Sequence, residues 1–285
     1  MTVLAALLSG CIGLQQTQRV PVSIGFDPVI GHDTRVEESV PLPQDRTFNV
    51  WAAGSSTTEP YLDDETISYK GNGWTSSKSW PLEELMFEAY SPSSLKPEFS
   101  AEKGLTIKDF DCSEGNIDIL VAKTGFRSQD VDSLVPLPFE HALSRVEFRM
   151  HPSISPLMSV KVKKIKLSGF ATKGTYNSRA EIPWTVEHKD QYRVVFEDEE
   201  GVSMTSELRY LGEDFYTIPQ LFVGTLEVDF EVKYADATWI PQTEVLEKVE
   251  ICWDPNTHYT YTLTLTENKM KIHPGISNWN NRDLE

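Results

Sequence analysis

The chain is poor in cysteine, in basic charge and in helical periodicity. Its 285 residues hold three cysteines, at 11, 112 and 252, with no CxxC pair, and six histidines with no HxH or HxxxH pair. Zinc-type ligand spacing is therefore missing, and no metal is expected. Lys and Arg number 26 against 43 Asp and Glu, a net charge of −17. Phosphate contacts need a basic face, so nucleic acid is excluded as a partner. No GxSxG, HExxH, GxxxxGK[ST] or GxGxxG occurs. Without these constellations no catalytic residue, no cofactor and no enzyme activity are expected. No window of helix length carries a clean 3.6-residue period, although Leu137–Leu143 reads as one helical turn ahead of a strand.

What is present is apolar residue in short alternating runs. Hydrophobic residues make up 39% of the chain and aromatics 11%, enough for packed cores rather than disorder. Candidate strands include Thr47–Ala53, Thr66–Lys70, Glu84–Tyr90, Ile117–Lys123 and Arg145–Met150. The second half adds Val160–Ser168, Ile182–Val186, Tyr192–Phe196, Phe215–Ile218, Leu226–Tyr234, Val245–Trp253, Tyr259–Thr266 and Lys269–His273. Turn-forming Gly, Asn, Pro and Ser separate them, which predicts β-sandwiches. The length suits two domains, with the passage between them placed at His151–Ser155. That gives an N-terminal sandwich over 11–153 and a C-terminal one over 154–285.

The beginning of the chain has its own chemistry. Met1–Gly10 is apolar, uncharged and too short to span a bilayer, which takes about 20 residues. It reads as the end of a secretory signal over residues 1–10, without the usual basic start. Leu8-Ser9-Gly10-Cys11 looks like a bacterial lipobox, with Cys11 the lipidated residue. Cys112 and Cys252 are left as either one disulfide or two buried thiols. Next, Val20, Val22, Ile24 and Phe26 alternate with Arg19, Pro21, Ser23 and Gly25, a half-buried strand over 19–26 at or beside a sheet edge. Asp27–Arg46 reads as a long exposed loop.

Several features carry two readings. Glu197–Gly201 is a solvated hairpin tip or a calcium loop, and its spacing favours the tip. Lys161, Lys163, Lys164 and Lys166 lie on a strand whose phase slips at Lys163–Lys164, a β-bulge. They form an exposed face or a docking patch for an acidic neighbour. His141 is a structural turn residue or a catalytic base without a recognisable nucleophile. The seven tryptophans are core residues or carbohydrate platforms.

Five segments together bring a resemblance. Phe139–Phe148 (FEHALSRVEF), Phe215–Gln220 (FYTIPQ), Tyr259–Leu265 (YTYTLTL), Ile276–Trp279 (ISNW) and Trp80-Pro81 with the Phe87–Pro92 strand end resemble, in order, segments of the fimbrillin-like lipoproteins of Bacteroidales. The resemblance implies an all-β fold of two tandem transthyretin-like β-sandwich domains. It implies a structural or accessory subunit (shaft, tip or anchor) of a cell-surface fimbria of the type V pilus kind. Its partners would be other fimbrial subunits through donor-strand exchange, lipoprotein-processing enzymes and an Arg-specific protease. Its location would be the outer membrane, held by lipid, and the surface fimbrium. By position Arg35 matches the family's processing arginine, leaving a chain of 250 residues from Val36; Arg46 and Arg19 are the alternatives. The removed strand would carry Val20, Val22, Ile24 and Phe26. The donor strand would come from Tyr259–Trp279. The competing function is a surface glycan-binding lipoprotein.

Overall fold

The computed structural model describes residues 21–31, 39–56, 59–113, 116–129, 134–151, 158–204, 207–235, 237–265 and 270–278. Strands come first in the order β1 (Ser23–Ile30), β2 (Val40–Pro41), β3 (Thr47–Gly54), β4 (Pro60–Ser68), β5 (Trp74–Ser79), β6 (Leu85–Ser91), β7 (Glu98–Ser100), β8 (Gly104–Asp111), β9 (Leu120–Lys123) and β10 (Val135–His141). Then follow β11 (Ser144–Met150), β12 (Met158–Phe170), β13 (Lys173–Asn177), β14 (Trp184–Glu187), β15 (Gln191–Met204), β16 (Arg209–Tyr210), β17 (Phe215–Thr217), β18 (Gln220–Tyr234), β19 (Ile240–Trp253), β20 (Thr257–Leu265) and β21 (Met270–Asn278). One 3-10 turn, Ser93–Leu95, is the sole helical element among the described residues. The protein is all β.

The first sandwich is one sheet in the order β2-β1-β10-β9-β6-β3-β4, with β5 also paired to β1. A tight turn carries β4 into β5, closed by a bridge between Tyr69 and Trp74. Gly71 and Gly73 take positive φ there, which side chains resist. The sheet thus folds over a single core of Phe26, Phe48, Leu62, Trp74, Phe87 and Phe139.

The second sandwich faces two sheets, β16-β11-β20-β21 and β15-β12-β18-β19, with β17 added on β11. Their alternating residues meet in a core that includes Phe148, Phe170, Phe215, Trp253 and Leu263. β11 and β18 show why: alternate residues along each are buried, the period of a strand with one face inside.

The chain passes from the first core to the second at Ala142–Leu143, earlier than the expected 151–155. Val146, Phe148 and Met150 of β11 pack in the second core. The Pro- and Ser-bearing segment after His151 connects two strands of the same sandwich.

A fourth, small sheet, β14-β13-β8-β7, takes two strands from each half. β8 pairs antiparallel with β13, Lys173 opposite Asp111 and Asn177 opposite Thr106. Beneath it lies a separate core containing Trp51, Tyr90, Ile107, Leu143, Tyr176 and Trp184. Trp184 Nε1 donates to Ala142 O at 2.7 Å, at the crossing point itself. The halves are thus joined by a sheet as well as by the chain.

Three local expectations change. Leu137–Leu143 is not a helical turn: β10 continues to His141 with alternate residues buried. Asp27–Arg46 is not simply a loop, because β1 runs on to Ile30 and Leu42 is buried at 2% exposure. Glu197–Gly201 is not a hairpin tip but a bulge within β15, where the register against β12 shifts between Val162 and Lys164. The same shift on the β18 side is the slip expected at Lys163–Lys164.

Candidate functional site

β1 occupies a slot between three other strands. On one side it runs parallel to β10, from Phe26 opposite Val135 to Ile30 opposite Phe139. On the other side its first half pairs antiparallel with β5, including Phe26 opposite Trp74. Its last residues pair with β2, Val29 opposite Pro41 and Ile30 opposite Val40. Loop bonds close both ends: Trp80 N donates to Val22 O at 2.9 Å, Leu42 N to Pro28 O at 3.0 Å and Gly31 N to Phe139 O at 2.9 Å.

The slot is apolar. Ile24, Phe26 and Ile30 are at most 1% exposed. Phe26 meets Phe87 edge-on at 5.8 Å. At roughly 1.5–3 kcal/mol per buried large side chain, these three contribute about 5–9 kcal/mol before the entropy of ordering the strand. Gly25 looks like a weak point in the sequence. A Cβ there would lie 2.6 Å from Leu134 Cδ2, the tip of an exposed side chain, and 3.9 Å from the nearest backbone atom, Trp74 O.

Of the four residues expected on the buried face, Ile24 and Phe26 are in the core, Val22 is half-buried, and Val20 lies outside the described residues. Sequence reasoning missed Pro28 and Ile30, which continue the same face and are buried. The signal was there in the unbroken period of two. Asp27 and Pro28 hid it by looking like a turn. Cys11, Arg19 and Arg35 lie outside the described residues. Arg46 is half-buried just before β3, its N–H bonded to Pro43 O at 3.0 Å. A cut after Arg46 would also release β2 and the buried Leu42.

The other candidates resolve into structure. His141 is buried, with Nδ1 2.8 Å from Asp118 Oδ1. Its backbone N–H donates to Asn256 Oδ1 at 3.3 Å, tying the crossing point to a loop of the second half. Nearby Ser144 donates its hydroxyl to Asp254 O at 2.7 Å. The basic run on β12 is engaged within the molecule. Lys164 pairs with Glu197 at 2.8 Å, Lys163 lies 3.8 Å from Glu231, and Lys166 covers the Tyr192 ring. Trp51, Trp74, Trp184 and Trp253 are buried. Half-buried Trp239 is covered by Lys161 and Lys233. Cys112 and Cys252 are both free, the first buried and the second exposed. Burial raises the thiol pKa of Cys112, which suits an unreactive packing residue. Among the described residues no cluster of His, Cys, Asp and Glu could hold a metal, and no helix is long and apolar enough to cross a membrane.

The last two strands differ from each other. β20 is integral to the second core, burying Tyr259, Tyr261, Leu263 and Leu265. β21 is an edge strand paired with β20 alone, from Met270 opposite Leu265 to Asn278 opposite Thr257. Among its described side chains only Met270 is buried, and Ile276 is 72% exposed.

A sequence model described as fimbrillin-like matches residues 34–279. The chain belongs to the fimbrillin-like family. Solved structures agree with this fimbrillin-like chain in fold. A fimbrial protein from Bacteroides vulgatus ATCC 8482 superposes with a TM-score of 0.65 at 15% identity, covering 90% of this chain and 99% of its own. A putative cell adhesion protein from Parabacteroides distasonis ATCC 8503 gives 0.59 at 11% identity, covering 91% and 97%. One from Bacteroides ovatus ATCC 8483 gives 0.58 at 15% identity, covering 92% and 99%. No curated protein matches the chain.

Proposed function

We propose that this fimbrillin-like chain is a structural or accessory subunit of a cell-surface fimbria, assembled by strand exchange. A protease would cut after Arg35 and release β1. A strand of a neighbouring subunit would then enter the slot. The observation that carries this reading is the setting of β1: an apolar strand held between β10, β5 and β2, near the start of the chain. The family match supports it by opening at residue 34, beside Arg35 and after β1. Losing β1 would uncover the backbone of β10 and the rings of Phe48, Phe87 and Phe139, an edge and a groove that favour strand addition.

In this reading β21 is the donor. It pairs on one edge only and buries little of its own surface, so it leaves at smaller cost than β20. Lipid at Cys11 would carry the precursor to the outer membrane before processing. The net charge of −17 makes like subunits repel, so their contact would rest on apolar strand burial.

The test compares two forms by light scattering: the chain from Val36 and the chain retaining β1, each alone and mixed with other subunits of the same fimbria. The shortened form is expected to associate and the longer form to stay monomeric. Equal monomers under all conditions would reject strand exchange.

A further inference from the structure

The last strand repeats the face of the first. β1 turns Ile24, Phe26, Pro28 and Ile30 inward, with Gly25, Asp27 and Val29 between them. In β21, Met270, Ile272, Pro274 and Ile276 alternate in the same way with Lys271, His273 and Gly275. Each strand thus carries four apolar residues on one face, with proline at the third step and isoleucine at the fourth. Where β21 now lies, that face is little used. Met270 is buried and Ile272 half-buried, but Pro274 and Ile276 are exposed.

The prolines set how one strand can stand in for the other. Gly31 N donates to Phe139 O, so along the parallel ladder Asp27, Val29 and Gly31 turn their backbone toward β10. Pro28 turns the other way, its carbonyl accepting from Leu42 N at 3.0 Å. The slot therefore already holds a residue without an N–H at that step. Seating Pro274 there puts His273 and Gly275, which have N–H groups, on the β10 ladder. It also puts Ile272 at the place of Phe26 and Ile276 at the place of Ile30. A slip of one residue would set Pro274 on the ladder and turn the apolar face outward. A slip of two would set it opposite Trp74 or Val40, where β1 carries an N–H.

Two positions differ in size. Ile272 fills less space than the Phe26 ring, which meets both Phe48 and Phe87 edge-on. Lys271 takes the place of Gly25, where a Cβ is crowded only by the exposed tip of Leu134. Charge favours the exchange. β21 holds Lys271, His273 and no acidic residue, on a chain of net charge −17. The β21 of another copy thus brings no like charge to an acidic acceptor.

We infer that the strand taken up in the β1 slot is β21 of a second copy of this chain, seated with Pro274 at the step of Pro28. This rests on the strand-exchange reading and adds to it the partner and the register.

The test uses the full chain, cut between β1 and β2 so that β1 stays seated but is free to leave. Fluorescent peptides of residues 270–278 and 23–31 are added, and anisotropy follows their uptake. Both are expected to enter and to compete with each other. Gly275→Pro in the first peptide removes an N–H from the β10 ladder and should weaken uptake about tenfold or more. Pro274→Ala should leave uptake nearly unchanged. Ile272→Phe should strengthen it about tenfold, as the ring refills the place of Phe26. Entry of the 23–31 peptide alone would leave strand exchange standing and overturn β21 as its donor. Entry of neither would overturn both. Equal uptake of the native and Gly275→Pro peptides would overturn the register.

Discussion

Phe26 meets Phe48 edge to face, with ring centroids 5.8 Å apart and planes at 88°. The two strands are not neighbours: β10, β9 and β6 lie between β1 and β3 in the sheet order. The contact therefore crosses the core of the folded sheet. β1 is bonded at its edges and also anchored at its centre by a ring that β3 and β6 enclose.

Phe26→Ala is expected to destabilise the chain that retains β1 by about 3–5 kcal/mol, the usual cost of emptying a phenylalanine site. The exposed neighbour supplies the control, and Asp27→Ala should change little. Denaturant unfolding followed by tryptophan fluorescence measures both. A loss below about 1 kcal/mol for Phe26→Ala would mean that β1 contributes little to the first core.

Acid should loosen the wall of the slot. Burial pushes the Glu65 carboxyl pKa upward, but hydrogen bonds from Ser76 and Ser77 outweigh it and hold the group below its ordinary value. Ser76 Oγ and Ser77 N both lie 2.6 Å from it, fastening β5 to β4. A lowered folded pKa contributes stability above the unfolded pKa, which is lost as the pH falls through the folded value. Glu65→Gln is therefore expected to be less stable than the native chain at neutral pH. The two should converge as the pH drops well below about 4.3, the ordinary glutamate value. A constant difference across the range would assign the effect to packing instead.

An Arg-specific protease should cut the chain once under native conditions, leaving Val36 as the new N-terminus. Arg35→Ala should abolish that cut and leave the fold intact. N-terminal sequencing and intact mass read the outcome. Cleavage after Arg46 in the native chain would move the boundary and remove β2 with β1.

The joint between the halves has its own weak point. Arg179→Ala leaves the buried Glu88 carboxylate without its cation. Removing one partner of a buried pair costs about 3–5 kcal/mol. Arg179 is 29% exposed on its side chain, so about 2–3 kcal/mol is expected here. Adding Glu88→Gln to that variant should restore part of the loss, because the amide needs no counter-charge. Thermal unfolding of the single and double variants checks this by a mutant cycle.

Alternation made most of the second sandwich legible from sequence. β11, β12, β18 and β20 each present one apolar face, and even the slip at Lys163–Lys164 is visible as two adjacent lysines. β10 was hidden by Pro136 and Pro138. Phe139 O bonds toward β1, so the odd residues of β10 make the ladder on that side. The even positions point their backbone the other way, where pairing with β9 begins only at Glu140. Proline is tolerated there for want of a needed N–H. The small joining sheet was illegible for another reason. Neither β8 nor β13 is strongly periodic, and each finds its partner more than sixty residues away. Of the candidate site, the apolar face of β1 was readable through Phe26. Its parallel pairing with β10 was not, because nothing local encodes a partner that distant.

Hydrogen exchange across Val135–Phe139 of β10 tests the central claim most directly. Pro136 and Pro138 carry no amide hydrogen, so the amides that face β1 are those of Val135, Leu137 and Phe139, and the chain retaining β1 should protect them. The chain starting at Val36 should lose that protection at the positions bonded to β1, and a synthetic peptide of residues 20–31 should restore it. Protection that is unchanged without β1, or that the peptide fails to restore, would contradict the account.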